Sequence, residues 1–300
     1  MKYSVIPDIH ADFKRLKSSL KAGAKSQKLI FLGDLIDAGD HIENPADLSV
    51  LQSVRALCEN HQALCVMGNH ELNAILYHRK SKKKCQSPLR EHSPNNVKQH
   101  KSFTDEFGTF TEPALYWTNW FLETMPLWLE FDGLRIVHAC WSMKAIDIVK
   151  KRRPNGYLKL EDLEEIASKK SVFAKAVELI VSGPEYKLPD GFSFLDKGKN
   201  KRTEVRLAWW NTNADTWRNA ALSVPDKSEL PDTLLPSDAL TEIYCTDAPP
   251  VLVGHYKMTG TPAVQNKKAT SLDFPEKPCV YHWSGEAELT EINLQIIHDS

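Results

Sequence analysis

The sequence predicts an α/β (α+β) fold, one domain over residues 1–300 with an inserted cap, and three observations carry that expectation. Short β-rich runs alternate with helical patterns over residues 1–90, the signature of strands joined by helical crossovers. Two further apolar runs, at 134–137 and 251–253, are separated by a long stretch that contains neither a linker nor a repeat. Three β-rich runs at the C-terminal end then suggest a closing antiparallel meander.

Taken in order, residues 2–7 read as the first strand. Asp12 is a good helix N-cap, Phe13, Leu16 and Leu20 line one helical face, and Gly23 ends that helix. Residues 28–32 form the second strand. Residues 47–60 carry Leu48, Leu51, Val54, Leu57 and Cys58 at helical spacing, and residues 63–67 resume an apolar strand before a helix at 71–77. The segment 79–101 is strongly basic, with Lys80, Lys82, Lys83, Lys84, Arg90 and Lys98 against Glu91 as its one acid. It reads as an exposed insertion: a solvated face first, with steering of anionic substrate or nucleic acid as the alternative. The aromatic-rich residues 103–128 read as helical packing. Helical pieces at 161–168 and 172–181, then turns at Gly183-Pro184 and Pro189-Asp190-Gly191, make 142–247 the inserted cap. Residues 269–272, 279–282 and 289–297 are the three runs of the expected meander.

Composition narrows the function classes. Apolar residues at 42% and charged residues at 26% describe an ordinary globular chain with ample core material, and a formal charge of −1 gives no global pull towards nucleic acid or anionic membrane. The N-terminus meets Asp8 before a signal-length apolar run can develop, and no segment approaches a membrane span, so the chain reads as cytoplasmic. Six cysteines lie scattered without a C-x-x-C pair, against a thiolate zinc site and in keeping with reduced thiols. Cys140, beside His138, reads as a small buried thiol.

The chemistry-bearing residues cluster after the apolar runs. Asp8 and His10 lie just past the first, Asp34 follows the second in Gly33-Asp34-Leu35-Ile36-Asp37, and Asn69 follows the third in Gly68-Asn69-His70-Glu71. His138 and His255 follow the next two. In open α/β sheets such groups gather outside the carboxyl ends of strands, so residues remote in sequence converge there. Carboxylate, imidazole and amide oxygen suit manganese, iron or zinc better than a soft metal. Singly, each group has a dull reading as a cap, a turn residue or a buried histidine; their joint order argues against accident.

The series D-x-H, G-D-x-x-D, G-N-H-E, H-A and G-H resembles the calcineurin-like metallophosphoesterase superfamily. That resemblance implies a four-layer α/β/β/α sandwich holding two divalent metal ions, manganese first, with iron, zinc or nickel as alternatives. Asp8, His10 and Asp34 would hold one ion, and Asp34, Asn69, His138 and His255 the other. His70 would be the general acid, oriented by Asp37, and a hydroxide bridging the metals would attack phosphorus. Lys257 stands where many members carry a second histidine after G-H, which makes the chain resemble the phosphoprotein phosphatase branch, with its serine/threonine phosphatases, symmetrical diadenosine tetraphosphatases and polynucleotide phosphatases. Asp273 resembles an acid that some of that branch place near the first metal.

Two positions depart from the branch. Ala38 replaces an arginine that grips phosphate, and Ala11 replaces a glycine. Arg202, Arg206 and Arg218, which flank Trp209-Trp210-Asn211, are the substitutes considered for the grip, with Trp210 as a stacking platform; cap core and surface is the plainer reading of all four. The implied substrate is phosphorylated: a phosphoprotein, a dinucleoside polyphosphate, a nucleic-acid end or a small phosphomonoester. A catalytically silent binding module is the alternative from another class. The remaining histidines, His41, His61, His78, His92, His100, His282 and His298, receive no role, and nothing in the chain addresses oligomeric state.

Overall fold

The apolar run Tyr3–Ile6 forms β1 in the computed structural model, which describes all residues except 25, 84, 85, 197, 198, 212, 213, 238, 240–243 and 298–300. Lys84, Cys85 and His298 therefore lie outside the described residues. Asp12 caps α1 (Phe13–Gly23) by accepting from the Arg15 amide, which satisfies one of the N–H groups a helix start leaves free. The alternation continues through β2 (Lys28–Phe31), α2 (Asp47–Glu59), β3 (Ala63–Cys65) and α3 (Asn69–Tyr77). Next come α4 (Pro94–Gln99), α5 (Lys101–Phe107) and α6 (Glu112–Thr124), then β4 (Trp128–Phe131) and β5 (Leu134–Val137), paired antiparallel. Helices α7 (Met143–Lys150), α8 (Leu163–Ser168) and α9 (Val172–Ser182) follow. A region of short elements holds β6 (Glu185–Lys187), β7 (Phe194–Leu195), β8 (Lys201–Arg202), β9 (Glu204–Leu207), α10 (Trp217–Ala220) and β10 (Ala221–Leu222). The chain closes with β11 (Val251–Val253), β12 (Ala269–Ser271), β13 (Cys279–Trp283) and β14 (Leu294–Ile296).

Two mixed sheets result, ordered β14-β13-β1-β2-β3 and β12-β11-β5-β4. Strands β1, β2 and β3 run parallel, as do β5, β11 and β12. Alternation along each strand sorts the side chains between two faces. Tyr3, Val5, Ile30 and Leu32 of the first sheet share one core with Leu134, Ile136 and Leu252 of the second. The intervening Ile6 and Phe31 pack with Leu16, Val50 and Val54 of the first helices, while Val137, Val251 and Val253 belong with Ile146, Val149 and Val177. Sheet faces sheet, helices cover the outer faces, and the fold is a four-layer α/β/β/α sandwich.

The end of the chain differs from the expected meander. Strand β12 joins the second sheet, parallel to β11, whereas β13 pairs antiparallel with β1 and β14 in the first. The second sheet thus takes β12 at its edge, and the first takes both β13 and β14 beyond β1. Within 142–247, helices α7, α8 and α9 contribute Ile146, Leu163 and Val177 to the main core. From residue 185 onward, the sheet β10-β9-β6 builds a small core of its own around Leu188, Phe194, Val205, Leu207, Trp217 and Leu230. No helix among the described residues is long and apolar enough to cross a membrane.

The basic stretch divides between exposed lysines and half-buried, partnered arginines. Arg79 donates to Thr118 and Asn119, Arg90 donates to Asn96 and Gln99, and His100 at its end is fully buried. Lys80, Lys82, Lys83 and Lys98 are exposed, in keeping with a solvated face, while Arg79 also donates to Ile75 O and His92 Nε2 lies 3.0 Å from Tyr77 O, which ties the stretch to α3.

Candidate active site

The candidate groups sit where strands of both sheets end. Asp8 and His10 follow β1, Asp34 and Asp37 follow β2, His138 follows β5 and His255 follows β11, while Asn69 and His70 open α3 just past β3. The turning is done largely by residues other than glycine. His10, Ala11, Asp34, Asp37 and His255 have φ of 51°, 56°, 50°, 66° and 65°. Such left-handed backbone costs an L-residue about 1–3 kcal/mol and persists where surrounding structure over-determines it. Two glycines serve close approach instead: a Cβ at Gly68 would stand 2.2 Å from Asp34 Oδ1, and one at Gly254 would stand 2.1 Å from Asp8 Oδ1. Glu71, which the sequence reading passed over, accepts from the amides of Asp34, Leu35 and Gly68 at 2.9, 2.7 and 3.0 Å. It joins the second and third loops. Burial, and then the charge of Asp34, push its carboxyl up to about 7.

Asp34 lies at the centre of the cluster. His138 Nε2 is 3.3 Å from its Oδ2, and His70 Nε2 is 3.9 Å from the same oxygen. Asn69 Oδ1 lies 3.1 Å from His138 Nε2 and 2.8 Å from His255 Nδ1. One donor atom each from Asp34, His138 and His255 fall within 4.8 Å of one another, and the same is true of His10, Asp34 and His70. The second group has His70 where the sequence reading has Asp8, whose Oδ2 lies 3.9 Å from His10 Nε2 and accepts from the His255 amide at 3.1 Å. The Nδ1 of His138 donates to Leu32 O at 2.6 Å, which orients the ring and leaves Nε2 facing Asp34 and Asn69.

The electrostatics of this cluster suit a cation. Burial, and then the carboxyl of Asp273, hold Asp8 well above the usual carboxylate range. Burial also works against Asp34, but His138 and His70 outweigh it and bring Asp34 well below that range. Burial opposes charge on His138 too, yet Asp34 outweighs it and raises the pKa to about 10. Burial, and then Arg206, hold His255 well below its ordinary value. Its Nε2, and Oδ2 of Asp273, are buried and meet no hydrogen-bond partner among the described residues. Such atoms normally cost free energy unless a partner arrives. Carboxylates, neutral imidazoles and one amide oxygen are donors that divalent first-row metals accept.

Beside this cluster lies a second carboxylate with a different set of partners. Asp37 Oδ2 receives His70 Nδ1 at 2.7 Å, and Asp37 Oδ1 receives His100 Nδ1 at 2.6 Å. Burial pushes against ionisation of Asp37, but the two histidines reverse the balance and hold its pKa far down. His70 is raised, burial notwithstanding, by Asp34 and Asp37. Sequence reasoning missed His100 and His78: their partners lie across the chain, and no local pattern marks either ring.

The substrate-contact candidates separate. Arg206 is half-buried, paired with Glu185 at 3.0 Å, and bears on His255 through its charge. Arg218 is spent inside the small sheet region on Asp232 and the carbonyls of Ser228 and Leu230. Arg202 is exposed on β8. Trp210, 3% exposed, packs edge-on against Tyr256 in the main core, so it offers no face for stacking a ligand. Its size was better used as core. At the position of the missing arginine, the Ala38 amide donates to Ser102. Lys257 is exposed and its charge depresses His10, whose pKa falls to about 3, chiefly through burial and His70.

The profile of the calcineurin-like phosphoesterase family matches residues 1–186. The chain belongs to that family, and is a phosphoesterase of a metal-dependent class. The matched span contains every candidate ligand but His255, which rests on geometry. A cold-active protein tyrosine phosphatase of a Shewanella species aligns at 13% identity, over 99% of this chain and 80% of its own, with a TM-score of 0.47. A serine/threonine phosphatase from Saccharomyces cerevisiae aligns at 15% identity, 99% and 78% coverage and a TM-score of 0.44. A metallophosphoesterase from Sphaerobacter thermophilus aligns at 21% identity over 52% of this chain and 56% of its own, with a TM-score of 0.31. No curated protein sequence matches the chain.

Proposed function

We propose that the chain is a dinuclear metal-dependent phosphatase of the phosphoprotein phosphatase type, acting on phosphorylated serine or threonine in proteins. The observation that carries this reading is Asp34, whose carboxylate belongs to two overlapping donor groups while a histidine one loop away is held by its own aspartate. Asp8, His10 and Asp34 would hold one divalent ion, and Asp34, Asn69, His138 and His255 the second, with manganese the first choice. Bound there, the ions supply Lewis acidity towards phosphoryl oxygens and lower the pKa of water.

The protein's own groups do the rest. His70 keeps Nδ1 on Asp37 and turns Nε2 towards Asp34, so Nε2 is the atom that gives a proton to the departing alkoxide. Asp37 fixes the tautomer and stabilises the imidazolium. Arg206 on one side and Lys257 on the other take the part of the arginine absent at Ala38, binding the phosphate before reaction. Residues 185–235, with their separate core, act as a cap that selects what enters. Unbridged thiols at Cys58, Cys65 and Cys279 suit a reducing cytoplasm.

A substrate panel tests this reading on manganese-loaded protein of measured metal content, comparing phosphoserine peptides, diadenosine tetraphosphate, 5′-phosphorylated oligonucleotide and p-nitrophenyl phosphate. Greatest kcat/KM on the peptides is expected. Preference for the dinucleotide or oligonucleotide transfers the protein to another substrate class, and absence of metal-dependent turnover on all four refutes the catalytic reading.

A further inference from the structure

Asp37 is held from both sides, and the second side continues inward. His100 Nε2 lies 2.9 Å from His78 Nε2, and His78 Nδ1 lies 3.3 Å from the Phe110 amide nitrogen. The side chains of Asp37 and His100 are wholly shielded from solvent, and His78 is buried. A backbone N–H can only donate. His78 Nδ1 must therefore accept, which puts the His78 proton on Nε2, facing His100. His100 Nε2 must accept that proton in turn, which puts its own on Nδ1, facing Asp37 Oδ1. One amide thus sets the direction of the whole row: Phe110 to His78 to His100 to Asp37, met from the other end by His70. Burial, and then His100, bring His78 down to about 3, so it stays neutral as the row requires. The His100 ring is clamped as well, stacked on Phe103 at 4.8 Å between centroids and tilted 17°.

We infer that His100 is a positioning residue for catalysis: by occupying Asp37 Oδ1 it fixes the plane of that carboxylate, and so the aim of His70 Nε2 at the departing oxygen. This rests on the reading of His70 as the general acid. A carboxylate bonded through one oxygen can swing about its Cβ–Cγ bond; bonded through both, from opposite sides, it cannot. Without His100, Oδ1 would also be a buried acceptor left to find another partner, which draws the carboxylate off line. A displacement of about 1 Å in a catalytic group costs on the order of 10²-fold in rate. No proton travels along the row. His100 acts by geometry and leaves substrate binding alone.

The test compares His100→Ala, His100→Asn, which keeps an N–H close to the place of Nδ1, and His70→Ala, each manganese-loaded and checked for metal content. Phenyl phosphate, with a poor leaving group, needs the acid; p-nitrophenyl phosphate needs it less. His100→Ala should lower kcat on phenyl phosphate by roughly 10²-fold with KM and metal content unchanged and a smaller loss on p-nitrophenyl phosphate, and His100→Asn should recover most of it. Equal losses on both esters, a change carried by KM, or no recovery in His100→Asn overturns the inference. Full activity of His70→Ala on phenyl phosphate would instead remove the reading beneath it. Should His100→Ala not fold, ring nitrogen shifts of the parent protein decide: His100 protonated on Nδ1 and His78 on Nε2 are expected, and the opposite tautomers overturn it.

Discussion

Asp34 and Asp37 leave the same loop three residues apart, both buried, both in left-handed backbone and both surrounded by histidines, yet their surroundings are finished to different degrees. Around Asp37 both carboxylate oxygens have a ring N–H, and the row behind it ends on a backbone amide. Around Asp34 the charges do not close: Asp8 is pushed up, His138 is pushed up, and atoms of His255 and Asp273 face inward without a protein partner among the described residues. A closed network orients something; an open one awaits something. The difference matches the proposed division of labour between a region that steers a proton and a region that takes a cation.

The comparison breaks most sharply at its two carboxylates. Asp34→Ala should lose bound metal and lower turnover by roughly 10⁴-fold or more, since one donor leaves both groups. Asp37→Asn should keep its metal and lower turnover by about 10²- to 10⁴-fold, the worth of an oriented acid. Metal analysis beside kinetics separates the two, and loss of metal from Asp37→Asn would erase the distinction. A smaller effect sharpens it. Asp47 accepts from the Asp37 amide, and burial, with the nearby Asp37 charge, raises its pKa from 3.8 to about 6. The native state then holds that proton more tightly than the unfolded chain, so stability is lost as pH rises from about 4 to about 6, by about 2–3 kcal/mol. Asp47→Asn should therefore gain on the parent across that window and hold a constant lead above it. Urea unfolding at pH 4.5 and 7 reads the change; an equal difference at both would mean that Asp47 does not titrate in the window.

How much could be read beforehand follows the same division. The groups around Asp34 were visible because each follows an apolar run long enough to be a strand, and strand ends on one side of a sheet converge. The groups behind Asp37 were not. His100 lies 63 residues from Asp37, inside a stretch whose lysines suggested only surface, and its role comes from burial that no residue spacing encodes. Strand β4 was hidden because Trp128 continues an aromatic run that elsewhere is helical, and the two-residue strands of the small sheet are too short to show a period. The partner of β12 was misjudged for a related reason: alternation tells which face of a strand is buried, but not which neighbour it pairs with. Trp210 drew attention as a large ring near arginines, and packing claimed it.

Glu71 has a consequence for when the site is assembled. By gripping amides from both sides of the β2 and β3 turns, it fixes the spacing of Asp34 and Asn69 through contacts that belong to the polypeptide itself. The ordering entropy of those loops is spent during folding, before any ion is captured. Loading should then be paced by shedding of water from the incoming ion, and amide exchange at Asp34 and Leu35 should be nearly as slow in the apoprotein as in the loaded one. A chain made when metal is scarce can wait, folded and ready.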